Sequence, residues 1–412
     1  MSPDRAADGD RDADGDRDAD DGSSAGLGRW LKIGAGLAVV AAILGAGLVL
    51  TADDDRPPPR PDIPLDAWAP YWTLDSSVPE LESRLPLLRE VSPFWFDAIG
   101  EMEIVAAEHT PDASATDFLA AVRASDAKLI PSIVDATAAG EMAAILSDPD
   151  RRENHIATLL AFAAEGDYDG LDIDYEQFAF ADGRSSWAAT RPNWVAFVDE
   201  LAAGLHADDR TLTVSIPPVY DAERTSASGF WVYDYGAIAP HVDRIRIMAY
   251  DFSVGEAGPI APLDFVESAI EGAIEATESP EKLVLGLPAY GRNWVVSVSG
   301  DCPESAPGRT SVTIRSVDEL IATRSATPVF DEETGEWVFE YELEVAEGEF
   351  TCVQTRRVHH VDADGIRLRM DLAREYHLDG VSLWALGFDD QSVWDAILPT
   401  IADPNPTTIT AP

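Results

Sequence analysis

Residues 169–176 read Asp-Gly-Leu-Asp-Ile-Asp-Tyr-Glu, and their alternation indicates a β-strand with two different faces. Because successive side chains of a strand point to opposite faces, one face carries the acids and the other carries the aliphatic residues. The acids on the shared face are Asp172, Asp174 and Glu176. Carboxyl groups two residues apart in a strand interact, so they are not expected to be ionised all at once. The pattern therefore predicts a proton donor, whereas a solvated acidic edge would not explain the aliphatic face.

The octapeptide resembles the Asp-x-x-Asp-x-Asp-x-Glu signature of family 18 glycoside hydrolases, the chitinases and their relatives. Three later stretches resemble the family's motifs for its sixth, seventh and eighth barrel strands. They are Met-Ala-Tyr-Asp at 248–251, Gly-Leu-Pro-Ala-Tyr-Gly-Arg at 286–292 and Asp-Gly-Val-Ser-Leu-Trp-Ala-Leu-Gly at 379–387. The resemblance spans about residues 63–400. Ser-Pro-Phe-Trp-Phe at 92–96 is similar in particular to the branch that contains spore-cortex peptidoglycan hydrolases.

Strand-like runs alternate with helical stretches along this part of the chain, which is typical of repeated βα units. Eight such runs predict an α/β fold, a (β/α)8 TIM barrel whose active site lies at the carboxyl ends of the strands. The predicted strands are 65–71, 91–96, 128–134, 168–174, 211–217, 242–250, 283–290 and 380–386.

The stretch of about 293–358 lacks a clean βα unit and contains a strand-like run after a Glu-Thr-Gly turn. We interpret it as a small α+β insertion between strands seven and eight, and the resemblance implies that it walls one side of a substrate groove. Cys302 and Cys352 are the chain's two cysteines, and both lie in this stretch. They suggest a structural disulfide in an exported chain. The alternative is two free buried thiols.

The resemblance implies a substrate-assisted reaction in which the sugar's own 2-acetamido oxygen attacks. Glu176, the acid nearest the open end of its strand, is then the general acid. Asp174 orients the acetamido N–H, and Asp172 behind it shares a proton with it.

The resemblance also assigns residues that bind the substrate. Tyr250 would bond the acetamido oxygen with Asp251 nearby, Met248 would line the pocket, and Trp384 would stack beneath the sugar. Tyr71 and Tyr290 are further candidates, for which barrel packing is an equal alternative. Three more tryptophans are candidates either for sugar stacking or for core packing, namely Trp95, Trp231 and Trp294.

Arg246 departs from the expected pattern, because period two places it on the same inward face as Met248 and Tyr250. An unpaired charge inside a barrel is costly. We therefore expect an ion pair between Arg246 and an inner carboxylate such as Asp172.

The chain's charge excludes one class of partner. It has 75 acidic and 29 basic residues, a net charge of −46, whereas nucleic-acid binding depends on clustered Lys and Arg. No cofactor or metal is expected, because the cluster of His359, His360, Asp362 and Asp364 does not have the spacing of a zinc or calcium site. Asp362 or Asp364 is expected near a helix cap instead. We expect a monomer.

The N-terminal region has a different composition from the rest. Its repeated Asp-Arg-Asp-Ala-Asp-Gly cannot bury enough apolar surface to fold. Residues 33–50 are uncharged and mostly apolar, and the length of this run, 18 residues, is at the lower limit for a membrane-spanning helix. We expect an uncleaved anchor with the catalytic domain outside the cytoplasm, and the alternative is secretion after signal cleavage. The predicted segments are a disordered tail (1–28), a transmembrane anchor (29–50), a linker (51–62), the barrel (63–402) and a C-terminal tail (403–412).

Together these features predict a membrane-tethered glycoside hydrolase that acts on β-linked N-acetylglucosamine polymers. Peptidoglycan is the first substrate and chitin the second. A catalytically silent, lectin-like barrel is the alternative function, and the presence of both Asp174 and Glu176 counts against it.

Overall fold

The computed structural model describes residues 61–225 and 228–398. The predictions for the acidic tail, the membrane anchor, most of the linker and the C-terminal tail therefore lie outside the described residues. Among the helices in the two described ranges, none has the length and hydrophobicity needed to cross a membrane.

Strands β1 to β16 follow one another along the described chain. They are β1 Leu65–Pro70, β2 Glu90–Phe94, β3 Phe96–Gly100, β4 Glu103–Ala106, β5 Lys128–Leu129, β6 Ser132–Asp135, β7 Gly170–Asp174, β8 Thr211–Ile216, β9 Arg244–Ile247, β10 Leu283–Pro288, β11 Tyr290–Asp301, β12 Arg309–Thr313, β13 Val329–Asp331, β14 Glu336–Glu347, β15 Phe350–His360 and β16 Gly380–Trp384.

Except for β4, which pairs antiparallel with β3, the strands of the larger sheet form a closed ring of parallel pairings. β1 pairs with β2, and β2 continues as β3 after an interruption at Trp95. β5 and β6 are likewise two parts of one strand, which pair with β2 and β3 respectively. From β6 the pairings run through β7, β8, β9, β10 and β16, and β16 pairs with β1. The predicted α/β fold of the TIM-barrel type is therefore confirmed, and each predicted strand overlaps an observed one.

Helices α1 to α11 follow one another along the described chain, and all except α9, which belongs to the insertion, cover the outside of the ring. They are α1 Leu74–Arg84, α2 Asp112–Arg123, α3 Glu141–Ser147, α4 Pro149–Glu165, α5 Gln177–Phe180, α6 Trp187–Ala207, α7 Tyr235–Ile238, α8 Leu263–Thr277, α9 Ile314–Arg324, α10 Ala363–Glu375 and α11 Gln391–Ile397. In α8 the buried Val266, Ala269, Ile270 and Ala273 follow the helical spacing that makes one apolar face. Strand β10 is buried along its whole length, as parallel strands covered on both faces are.

The interior of the barrel is polar rather than aliphatic. Its fully buried side chains include one arginine, three carboxylates and several hydroxyls. They are Asp66, Glu90, Ser92, Ser132, Asp172, Thr213, Arg246 and Ser382. The apolar core therefore lies between the strands and the helices, and the inside of the ring is available for charged groups that bond to one another.

The chain between β10 and β16 forms the α+β insertion expected at this position. Its antiparallel sheet has the order β12-β11-β15-β14-β13. Helix α9 packs on the sheet around a small apolar core that includes Val312, Val317 and Phe339. Cys302 and Cys352 form a disulfide, so the predicted bond is confirmed and the alternative of free thiols is wrong. At the end of the insertion Asp362 caps α10 by accepting the N–H of Gly365.

Candidate active site

Strand β7 presents its acids as the alternation predicts. Asp172 and Asp174 are buried inside the ring, 0% and 2% exposed, and the opposite-face Leu171 and Ile173 pack in the apolar core. Glu176 follows the end of the strand and is half-buried. It is the most accessible of the three acids and therefore the one best placed to meet a substrate.

Asp172 is held by donors from four other strands. Its Oδ2 accepts hydrogen bonds from Ser132 Oγ at 2.6 Å and from Trp68 Nε1 and Arg246 at 3.1 Å. Its Oδ1 accepts one from Ser215 Oγ at 2.7 Å. These four donors fix both oxygens of the Asp172 carboxylate.

Arg246 is the cation of the barrel interior. Its side chain is fully buried and pairs with Asp172 at 3.1 Å and with Glu90 at 3.2 Å, while donating to Ser92 Oγ at 2.7 Å. Its guanidinium also lies 5.1 Å from the centre of the Trp68 ring. The expected ion pair between Arg246 and Asp172 is confirmed.

Glu90 and its neighbours form a charged layer below the acids of β7. Glu90 also pairs with Arg244 at 2.5 Å, and Arg89 bonds Asp66 at 2.7 Å. Burial raises the pKa of Glu90 to about 7, with a further increase from Asp66, while Arg246, Arg244 and Arg89 oppose the rise. The sequence predicted the inward acids of β7 but not this layer, because its members come from strands far apart in the chain.

Tyr250 faces the acids of β7 from the end of β9. Burial raises the pKa of its hydroxyl well above the ordinary value, and the nearby Asp174, Asp251 and Glu176 raise it further. The phenol therefore stays protonated and is available as a donor. A Cβ on Gly286 would lie 2.8 Å from the Tyr250 ring, so the glycine of β10 makes room for it. Met248, two residues earlier, is half-buried on the same side.

Asp251 belongs to a second group at the rim. It has a left-handed backbone with φ of 61°, which Asp tolerates better than most residues. Arg292 binds it at 2.7 Å and the Tyr290 hydroxyl donates to it. Tyr290 thus contacts a predicted site residue and also packs in the core. Arg292 was not assigned a role from the sequence, although it lies within the motif at 286–292.

Trp384 belongs to an aromatic group at the ends of β1, β2 and β16. Phe94 lies 4.8 Å and Trp72 6.4 Å from its ring centre, both edge-on. Tyr71 packs against Trp72 at 4.9 Å and so lies in this aromatic group. Trp72 is 46% exposed, an unusual state for so large an apolar side chain. The sequence did not reveal Trp72, because only the fold shows which aromatic residues are covered.

The other candidate tryptophans are mainly packing residues. Trp95 and Trp294 are only 3% and 4% exposed, so both residues pack in the core and offer no ring face for sugar stacking. Trp231 is half-buried under the guanidinium of Arg191, 3.9 Å from its ring centre.

The family model described as glycosyl hydrolases family 18 matches residues 98–389. The chain belongs to this family. The family resemblance found in the four motifs is thereby confirmed, and with it the prediction that the chain carries a glycoside hydrolase domain.

Relatives of this family 18 chain include chitinases and spore-cortex enzymes. The uncharacterized glycosylase YvbX of Bacillus subtilis is 26% identical over 268 residues, 63% of this chain and 69% of that protein. Chitotriosidase-1 of Mus musculus is 23% identical over 60% of this chain and 55% of its own length. The cortical fragment-lytic enzyme of Bacillus subtilis is 26% identical over 48% of this chain and 43% of its own length. The chain thus spans about half of the last two relatives.

Solved structures agree with the fold. A chitinase from Chromobacterium violaceum has a TM-score of 0.66 at 23% identity, covering 81% of this chain and 98% of that one. The spore cortex-lytic enzyme SleL of Bacillus megaterium has a TM-score of 0.65 at 17% identity, covering 82% and 73%. At such identities the likeness shows the fold alone.

Proposed function

We propose that this family 18 protein hydrolyses β-1,4-linked N-acetylglucosamine polymers, with the substrate's own 2-acetamido oxygen as the nucleophile. The observation that carries the proposal is the arrangement of Asp174, Glu176 and Tyr250 at the carboxyl ends of β7 and β9. The aromatic group around Trp384 lies across the ring from them, at the ends of β16, β1 and β2. This end of a barrel is where enzymes of this fold hold their reacting groups.

Glu176 acts as the general acid. Its proton passes to the glycosidic oxygen while the bond from that oxygen to the anomeric carbon breaks. The acetamido oxygen forms the new bond to the anomeric carbon, and the acetamido N–H is held by Asp174. A water molecule then opens the cyclic intermediate, and the Glu176 carboxylate takes the proton of that water. Each proton that Glu176 gives is thus returned in the second step.

Three further residues support this reaction. The Tyr250 hydroxyl, whose raised pKa keeps its proton in place, donates to the acetamido oxygen. Asp172, fixed by its four donors, keeps Asp174 in position from below. Trp384 offers the face of its ring to the apolar face of the sugar.

The first substrate we propose is peptidoglycan, and the second is chitin. The names of two relatives support these substrates, since one is a cortical fragment-lytic enzyme and another is chitotriosidase-1. The protein is proposed to act outside the cytoplasm as a membrane-anchored monomer.

The test is product analysis by mass spectrometry after the full chain is incubated with purified peptidoglycan and with chitin hexamer. Glu176→Gln is expected to lower kcat by roughly 10²- to 10⁴-fold, because the departing oxygen receives no proton. Asp174→Asn is expected to be similarly impaired. Glu340→Gln, an exposed residue of the insertion, is the matched control and should keep wild-type turnover.

Two outcomes would contradict the mechanism. One is efficient hydrolysis by Glu176→Gln. The other is efficient wild-type hydrolysis of a matched substrate whose cleaved sugar has a free 2-amino group, since that group supplies no acetamido oxygen. A wild type that binds these polymers without turnover would instead favour the lectin-like function.

A further inference from the structure

Glu176 lies beyond the part of β7 that the sheet holds. The ladder with β8 ends at the pair Ile173 and Val214, and the ladder with β6 ends at Val134 and Asp174. At Glu176 the backbone has already turned to φ −109° and ψ −16° and leads into α5. The hydrogen bonds of the barrel therefore do not fix the general acid, and its position depends on other contacts.

Tyr175, between Asp174 and Glu176, supplies such contacts on the opposite face. Its side chain is fully buried, and its hydroxyl lies 2.7 Å from Nε2 of His155, a fully buried residue of α4. The rings of Tyr175 and His155 both stack on Phe197, at 5.7 Å and 5.9 Å between ring centres. This packing leaves little freedom for the Tyr175 side chain.

The positions of the protons in the contact between His155 and Tyr175 follow from the groups that bond to the His155 ring. Nδ1 of His155 lies 2.9 Å from the carbonyl oxygen of Glu101, which can only accept, so Nδ1 carries the proton. Burial lowers the pKa of His155 and keeps the ring neutral. Nε2 is then an acceptor, and the Tyr175 hydroxyl donates to it.

The backbone of Tyr175 is held as well. The Tyr233 hydroxyl donates to its carbonyl oxygen at 2.9 Å, and that carbonyl belongs to the peptide group that joins it to Glu176. Tyr233 is itself fixed, because Trp194 Nε1 donates to its carbonyl oxygen at 2.9 Å. Side chain and backbone of Tyr175 are thus fixed from two different elements.

We infer that His155, Tyr175 and Tyr233, which we call the Tyr175 anchor, position the Glu176 carboxyl for proton transfer. This inference rests on the proposed function of Glu176 as the general acid. The three are positioning residues, because they fix the side chain and backbone of Tyr175 and so act on Glu176 through the peptide group between the two. A displacement of about 1 Å at a reacting group costs up to about 10²-fold in rate. The anchor therefore contributes to kcat rather than to substrate binding.

The first test compares Tyr175→Phe with wild type in the full chain. The variant keeps the stacked ring and removes only the hydroxyl, so we expect kcat to fall by roughly 10- to 100-fold with little change in KM. Tyr341→Phe is the matched control, because it removes a hydroxyl that accepts a hydrogen bond within the insertion sheet. It should keep the wild-type kcat.

The second test uses His155. His155→Gln retains an amide N–H and an amide oxygen for the two partners, whereas His155→Leu retains neither. We expect His155→Gln to recover a large part of the kcat that His155→Leu loses, at comparable melting temperatures. Equal kcat in both, or a loss that follows melting temperature alone, would overturn the inference.

A third measurement does not depend on turnover. Crystal structures of wild type and Tyr175→Phe should show a displaced or more mobile Glu176 carboxyl in the variant. An unchanged carboxyl together with an unchanged kcat would overturn the inference. If the wild type hydrolyses none of the polymers, the proposed function fails, and the crystal structures still decide whether the anchor holds Glu176.

Discussion

At the scale of single residues, the acids of the active end depend on a second charged layer deeper in the barrel. Arg246 contacts both layers, with Asp172 on one side and Glu90 on the other. Burying an ion pair of this kind costs desolvation energy, and removing one partner strongly destabilises the protein because the other charge stays buried. The layer is therefore expected to make the stability of the protein depend on pH.

Glu90 provides the test of that dependence. Its pKa is raised from 4.5 to about 7, so between these values the folded protein keeps a proton that the unfolded chain releases. The stabilisation is present at low pH, and the free energy of unfolding falls as the pH rises through about 7, by at most about 1.4 kcal/mol per pH unit. Glu90→Gln should make the free energy of unfolding less dependent on pH in this range.

Urea unfolding at several values from pH 5 to pH 8 measures the effect of Glu90. The wild type and Glu90→Gln are compared at each pH, so that other titrating carboxylates cancel. Parallel curves for the two proteins would show that Glu90 does not take up the proton.

At the scale of elements, one buried ion pair joins the insertion to the loop that follows Asp251. Glu336 of β14 accepts the backbone N–H groups of Ile260 and Ala261 at 2.9 and 2.7 Å, and Arg369 of α10 lies 3.3 Å from it. Arg369 also donates to the carbonyl oxygens of Ala261 and Gly335. The pair thus fixes the backbone of the segment that follows the carboxyl end of β9.

We expect Glu336→Gln to destabilise the protein by about 3 kcal/mol, because Arg369 would remain buried without an anionic partner. Glu340→Gln is the control, since it removes an exposed pair with Arg357 and should cost less than about 1 kcal/mol. Hydrogen exchange of residues 251–262 should become faster only in Glu336→Gln. Equal stability of the two variants would contradict the assigned role.

At the scale of the whole molecule, the membrane anchor proposed at residues 33–50 determines where the protein is found in the cell. The apolar run is long enough to cross a bilayer, and no clear cleavage site follows it. The mature protein is therefore expected in the membrane fraction, released by detergent but not by high salt. N-terminal sequencing that begins near Ala52 would show that the segment is a cleaved signal instead.

The sequence by itself determined the fold class, the family and the acids on one face of β7. These features are local, since the alternation of a strand and the order of short motifs are legible without knowing what packs where. The disulfide was also predictable, because the chain has only two cysteines. The inward direction of Arg246 followed from the same period of two.

Only the tertiary structure decided which partners these residues meet. Arg246 had several inner carboxylates available, and its contacts with Asp172 and Glu90 depend on how eight strands are staggered around the ring. The contact of His155 with Tyr175 joins a helix to the end of a strand, and the exposure of Trp72 depends on what covers it. Such contacts depend on distances between elements that are remote in the chain, and no local pattern of residues records those distances.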